Sequence, residues 1–91
     1  VGLKRYKIKF LKNVSKKDLP VLPKTIKLRI EEIVKERLTV NPIDFGESLR
    51  YKLKGHRRIR TGDYRIMYHV NAAKYEVTIV SIKHRKDIYE S

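Results

Sequence analysis

Cysteine is absent from the 91 residues, which excludes disulfide staples, a thiol nucleophile and thiolate metal sites, and fits a reducing compartment. No apolar run is long enough to cross a bilayer. The longest, Val77 to Ile82, is broken by Thr78 and Ser81, and no signal segment is visible. The start at Val1 instead of Met is read as a processed or shortened beginning. Repeats, linkers and low-complexity tracts are also missing, so residues 1–91 are expected to form one domain with a modest core. Acidic residues are scarce: 10 Asp and Glu face 23 Lys and Arg, a formal net charge of +13. Such an excess repels itself and attracts polyanions. Nucleic acid is the first partner expected, an anionic membrane the second and an acidic protein the third. The plainer alternative is a highly soluble basic protein.

The 41% of hydrophobic residues suffices for a core and excludes wholesale disorder. Tyr6, Ile8 and Phe10 alternate with Arg5, Lys7 and Lys9, predicting a strand over 4–10. Residues 13–20 suit a short helix, with Asn13 and Ser15 as capping types and Pro20 as the stop. Over 23–40, Ile26, Ile30, Ile33, Val34 and Leu38 form one apolar stripe. Pro23 suits the first helical position, Glu31 and Lys35 a favourable i,i+4 pair, and Asn41-Pro42 the end. Residues 43–49 read as a connector punctuated by Gly46, and Tyr51 to Leu53 as the start of a strand interrupted at Gly55. Arg57 to Thr61 and Tyr64 to Val70 flank Gly62-Asp63, a II′-type hairpin turn. Tyr75 to Lys83 is the last strand, followed by a short polar tail. The order predicts an α+β fold: a mostly antiparallel twisted sheet with an N-terminal strand, helices on one face and the other face open.

Strand parity then sorts the side chains. A two-residue turn pairs Thr61 with Tyr64, Arg60 with Arg65, Ile59 with Ile66 and Arg58 with Met67. Ile59, Ile66, Tyr68 and Val70 fall on one face, assigned to the core. His56, Arg58, Arg60, Arg65 and His69 fall on the other. Opposed like charges cost a few tenths to about 1 kcal/mol, a cost an anion between them removes. Arginine suits that task because its planar fork grips phosphate bidentately and keeps its charge. The alternative is a solvated outer face. The last strand delivers Lys83, His84 and Arg85 to one end of the sheet, and Tyr89 follows. Cations beside a phenol can hold a phosphate and stack a base. His56, His69 and His84 lack metal-ligand spacing, so no metal site is expected. Asp63 and Asp87 are assigned to the turn and the tail.

Leu22-Pro23, Asn41-Pro42, Phe45-Gly46, Leu53-Lys54-Gly55, Gly62-Asp63-Tyr64-Arg65-Ile66-Met67-Tyr68 and His84-Arg85-Lys86-Asp87-Ile88-Tyr89 occur in this order. The succession resembles the RelE/ParE toxins over residues 4 to 89. The resemblance implies a RelE-like, microbial-RNase-like sheet with two N-terminal helices on one side. It also implies a toxin that cuts mRNA in the ribosomal A site. There the RNA's 2′-OH attacks the adjacent phosphate, without metal or other cofactor. On this reading Arg65 matches the arginine holding the scissile phosphate, Arg58 a basic position on the preceding strand, Arg85 the terminal arginine and Tyr89 the base-stacking or 2′-OH-orienting tyrosine. Lys54, Arg57, Arg60, Lys83 and Lys86 would contact RNA.

Some members carry two lysines where His56 and Arg58 stand here. Arginine is a poor base, so His56 or His84 is the expected proton shuttle, and Lys83 is an alternative to Arg85. The resemblance further implies a cytoplasmic protein, contacts with ribosomal RNA and a small RelB-like antitoxin in a heterotetramer, with Val80 and Ile82 as part of the antitoxin footprint or packed under the tail. The alternatives are a ParE-like gyrase inhibitor of the same fold and a non-catalytic basic RNA-binding module.

Overall fold

Five strands in the order β1-β5-β4-β3-β2 organise the chain. The computed structural model describes residues 5–49 and 55–88. The strands are β1 (Lys7–Phe10), β2 (Glu47–Ser48), β3 (His56–Thr61), β4 (Tyr64–Asn71) and β5 (Glu76–His84). Every neighbouring pair is antiparallel except β1 with β5, which is parallel. The helical elements are a π-helical segment Val14–Asp18, α1 (Lys24–Ile33) with its π-helical continuation Val34–Leu38, α2 (Pro42–Phe45) and α3 (Arg85–Ile88). The α+β class with a mostly antiparallel sheet is the one the sequence predicts.

The core joins Val14, Leu22, Ile30 and Leu38 from the helical side to Ile59, Ile66, Tyr68, Val77, Ile79 and Ile82 from the sheet. Ile26, Ile33 and Val34 of the predicted stripe pack partly buried against it. Among the described residues no helix is long and apolar enough to cross a membrane.

Local details depart from the sequence reading. Pro23 is the N-cap of α1 and not its first helical residue, because its ψ of 147° is extended. Both early helical segments close on i→i+5 bonds, Leu19 N–H to Val14 and Thr39 N–H to Val34. This widening frees the Lys35 carbonyl, which accepts from the Thr39 hydroxyl instead. Glu31 and Lys35 form no ion pair with each other. Asn13 does not cap: its amide donates to the Val80 carbonyl at 3.3 Å, and the Ser15 hydroxyl donates to Lys12.

The predicted connector holds two elements. Asn41-Pro42 ends the long helix and also starts α2, with Asn41 Oδ1 accepting from Asp44 N–H at 3.3 Å. β2 then pairs Glu47 with Arg58 and Ser48 with Arg57. The strand expected at Tyr51 to Leu53 lies outside the described residues. Gly62 takes a φ of +58° while Asp63 does not turn positive, the II′ signature.

β5 carries the largest correction. Met67 pairs with Ser81 but Tyr68 pairs with Ile79, leaving Val80 unopposed in a β-bulge. The extra residue reverses the alternation beyond it. Ile82 therefore points into the core, 3% exposed, and is neither on the open face nor available as an antitoxin footprint.

Candidate nucleic-acid interface

The hairpin register is the predicted one, extended to Arg57 with Tyr68 and His56 with His69. His56, Arg58 and Arg60 of β3 thus share the open face with Arg65, Met67 and His69 of β4. β5 adds Lys83 beside Arg65, because the bulge turns Lys83 outward and His84 inward.

Arg60, Arg65 and Arg85 line one concavity of about 140 Å³ at the hairpin tip, with Gly62, Asp63 and Tyr64. Gly62 has open space where a Cβ would stand. Arg85 is brought there by its N–H, which donates to the Asp63 carbonyl at 2.7 Å. Its Nε also lies 3.8 Å from Asp63 Oδ1. The arrangement sets three permanent cations around a space open to solvent, which suits a phosphodiester.

Arg58 and Lys83 are held by carboxylates as well. Arg58 Nε and Nη2 both donate to Glu47 Oε2, at 3.1 and 2.9 Å. Glu47 is well exposed, so the pair is worth only about 0.2–1 kcal/mol and a phosphate can displace it. Lys83 Nζ lies 2.8 Å from Asp18 Oδ1, while Asp18 Oδ2 accepts from Ile82 N–H at 3.0 Å. Asp18 is 5% exposed. It caps the edge of β5 where β1 has ended and fixes the lysine alongside Arg65.

Several expected site residues stand elsewhere. Arg57 points to the helix side, in register with Tyr68, and donates from Nη2 to the Gly46 carbonyl at 2.7 Å. Beside it Tyr68, wholly buried, donates its hydroxyl to the Pro42 carbonyl. Gly46 has to be glycine here, since a Cβ would overlap the Tyr68 hydroxyl. Burial pushes the Tyr68 phenol above its usual range, and the Arg57 charge and hydrogen bond offset part of the rise. Arg57 is thus a strut for α2 and β2 and is turned away from the cationic face.

His84 packs edge-on against Tyr64 at 5.0 Å, and its Nδ1 accepts from Lys86 N–H at 3.1 Å. Its Nε2 lies 4.0 Å from Oδ2 of Asp63, which lines the arginine cavity. His56 does lie on the open face, its ring tilted at 58° against that of His69 with centroids 5.4 Å apart. Four strand positions separate it from Arg60, roughly 13 Å. Of the two expected shuttles, His56 is thus remote from the arginine cavity, whereas His84 adjoins it, packed on the cavity-lining Tyr64 and next in sequence to Arg85. Lys86 is exposed at the start of α3. Lys54 and Tyr89 lie outside the described residues.

Sequence reasoning missed Asp18 and Glu47. Their only signal was scarcity: an isolated acid in a strongly basic chain sits where a cation needs a counter-charge. It also joined Arg58, not Arg60, to Arg65 and Arg85. Arg58 instead lines a neighbouring concavity of about 320 Å³ with Arg37, Phe45, Glu47, Ile59 and Arg60.

Comparison with known proteins bears on this geometry. Residues 8–89 match the family described as ParE toxin of type II toxin-antitoxin system, parDE. The chain is 32% identical to toxin RelG of Mycobacterium tuberculosis over 84 residues, covering 92% of this chain and 95% of that one. It is 36% identical to toxin RelE of the same organism over 73 residues, covering 80% and 75%. Its fold is similar to a chain in the crystal structure of the toxin-antitoxin complex RelBE2 from Mycobacterium tuberculosis. There the TM-score is 0.82 and the identity 30%, with 89% of this chain and 99% of that chain covered.

Proposed function

The chain belongs to the ParE toxin family of type II toxin–antitoxin systems and is a toxin of the RelE kind, and on that premise we propose that it is a metal-independent endoribonuclease that cuts mRNA in the ribosomal A site. The observation carrying this reading is the concavity lined by Arg60, Arg65 and Arg85. In the proposed reaction the 2′-oxygen of one nucleotide bonds to the adjacent phosphorus and the P–O5′ bond breaks. The 2′-OH proton leaves to a base, the 5′-oxygen gains a proton, and a 2′,3′-cyclic phosphate remains. The pentacoordinate phosphorus carries one more negative charge than the diester. Arg65 and Arg85 are assigned to grip the non-bridging oxygens and Arg60 to face them, with the Lys83 ammonium alongside. Preorganised donors aimed at developing charge supply the largest share of such catalysis. Tyr89 is assigned to orient the 2′-OH or stack a base. Arg58, once released from Glu47, and His56, Lys54 and Lys86 are assigned to flanking nucleotides and ribosomal RNA.

Cleavage in a translation extract, mapped by primer extension, tests the reading. Arg65→Ala and Arg85→Ala should each lower the single-turnover cleavage rate by roughly 100- to 1,000-fold while leaving much of the ribosome binding. An unchanged cut in both variants would show the reading to be wrong. The ParE description of the matched family favours a second reading, gyrase inhibition. A supercoiling assay separates the two, and we expect gyrase to run unimpeded.

The RelBE2 relative was solved as a toxin–antitoxin complex. For this chain we propose a small acidic RelB-like antitoxin, assembled as a heterotetramer in the cytoplasm, that covers the arginine cavity by competing with RNA. We further take residues 1–91 to form one RelE-like toxin domain.

A further inference from the structure

The concavity beside the arginine cavity has an aromatic wall. Phe45 is 50% exposed, and the Arg37 guanidinium lies 5.4 Å from its ring centroid. Arg58 and Arg60 complete the rim. Arg60 also lines the cavity assigned to the phosphate, so the two spaces share this side chain as a wall. A volume of about 320 Å³ lies within the range of small-ligand sites.

The ring is not a loose surface side chain. Phe45 ends the four-residue α2, which Asn41 caps at its start. The Tyr68 hydroxyl holds the Pro42 carbonyl and Arg57 holds the carbonyl of Gly46, the residue after Phe45. Two polar side chains from the sheet thus anchor a turn of helix too short to be stable alone. What that anchoring fixes in place is an apolar ring in a rim of arginines. A lone exposed phenylalanine needs no explanation; one clamped from below and flanked by three guanidinium groups does.

The geometry points to a nucleotide subsite: Phe45 is a stacking platform for the base next to the scissile phosphate, with Arg37 completing the sandwich and Arg58 and Arg60 taking that nucleotide's phosphate. Every base offers a π-face, so the subsite holds single-stranded RNA with little regard to sequence. This inference rests on the nuclease reading and extends it by one nucleotide.

The test is binding of a 2′-O-methylated, and so uncleavable, single-stranded hexaribonucleotide at low salt, read by fluorescence anisotropy. The oligomer is used intact and with one abasic sugar stepped through each position. Phe45→Leu keeps an apolar side chain and removes the ring. It should weaken the intact oligomer by roughly 5- to 150-fold, and Phe45→Tyr should restore it. At one abasic position, wild type and Phe45→Leu should bind equally. The inference is overturned if Phe45→Leu binds every oligomer as wild type does, or weakens intact and abasic oligomers alike. Unchanged RNA affinity with a weakened grip on a polyglutamate peptide would overturn it in favour of an acidic protein partner. Arg65→Ala and Arg85→Ala separate this failure from the larger one. If they bind RNA as wild type does, or wild type itself ignores RNA, the reading of the whole face falls. If they weaken binding and Phe45→Leu does not, only the subsite falls.

Discussion

Tyr68 shows how one side chain can set the geometry of a neighbouring element. Its hydroxyl is buried, donates to Pro42 and lies beside Arg57, and burial raises its pKa above the ordinary value near 10.0. The folded state therefore holds the phenolic proton more tightly than the unfolded chain. The stability this contributes is complete below pH 10 or so and is lost as pH climbs through the raised value. An alkaline titration followed by tyrosinate absorbance should show one of the six tyrosines ionising only together with loss of the circular dichroism signal. Tyr68→Phe should remove that late step and cost about 1–3 kcal/mol in urea unfolding, because the Pro42 carbonyl is left buried without its donor. Parity in the sequence already set Arg57 on the Ile59 side of β3. Its charge argued for the open face, and the charge was the poorer guide. The Gly46 carbonyl that draws it inward belongs to a segment whose path no local pattern records.

At the scale of elements, legibility followed regularity. The hairpin was readable to single-residue register, since Gly62 supplies the positive φ and alternation runs unbroken on both sides. β5 was readable as far as Ile79. Past it, Val-Ser-Ile-Lys-His reads equally well in either phase, and the bulge at Val80 chooses the one that sends Ile82 inward and Lys83 outward. β2 was invisible because two residues have no period, and α2 because a proline that stops one helix also suits the first turn of the next. The bulge gives a sharp contrast. Ile82→Lys should destabilise by about 3 kcal/mol or more, as an unpaired buried charge does, whereas Val80→Lys should cost well under half as much. Urea midpoints of the two variants measure the difference; equal costs would mean that the strand alternates without interruption.

For the molecule as a whole, the net charge of +13 points to a polyanion but does not give the division of labour among the cations. Arg58, Lys83 and Arg85 have carboxylates beside them, and Arg60, Arg65 and Arg85 surround an open cavity, an arrangement of side-chain geometry that composition does not carry. If the cavity takes phosphate, log affinity for single-stranded RNA should fall linearly with log salt, and Arg65→Ala should flatten the slope by about 0.7. A salt titration of both proteins checks this, and identical slopes would remove Arg65 from the interface. The parallel pairing of β1 with β5 has a consequence in time. About three quarters of the chain separates Lys7 from its partner Glu76, and Arg85, which closes the cavity, is made later still. Synthesis runs from the N-terminus, so a nascent chain carries an unfinished sheet until residues 76–85 have left the exit tunnel. If the cavity is the active site as proposed, it is incomplete until Arg85 has joined the folded sheet.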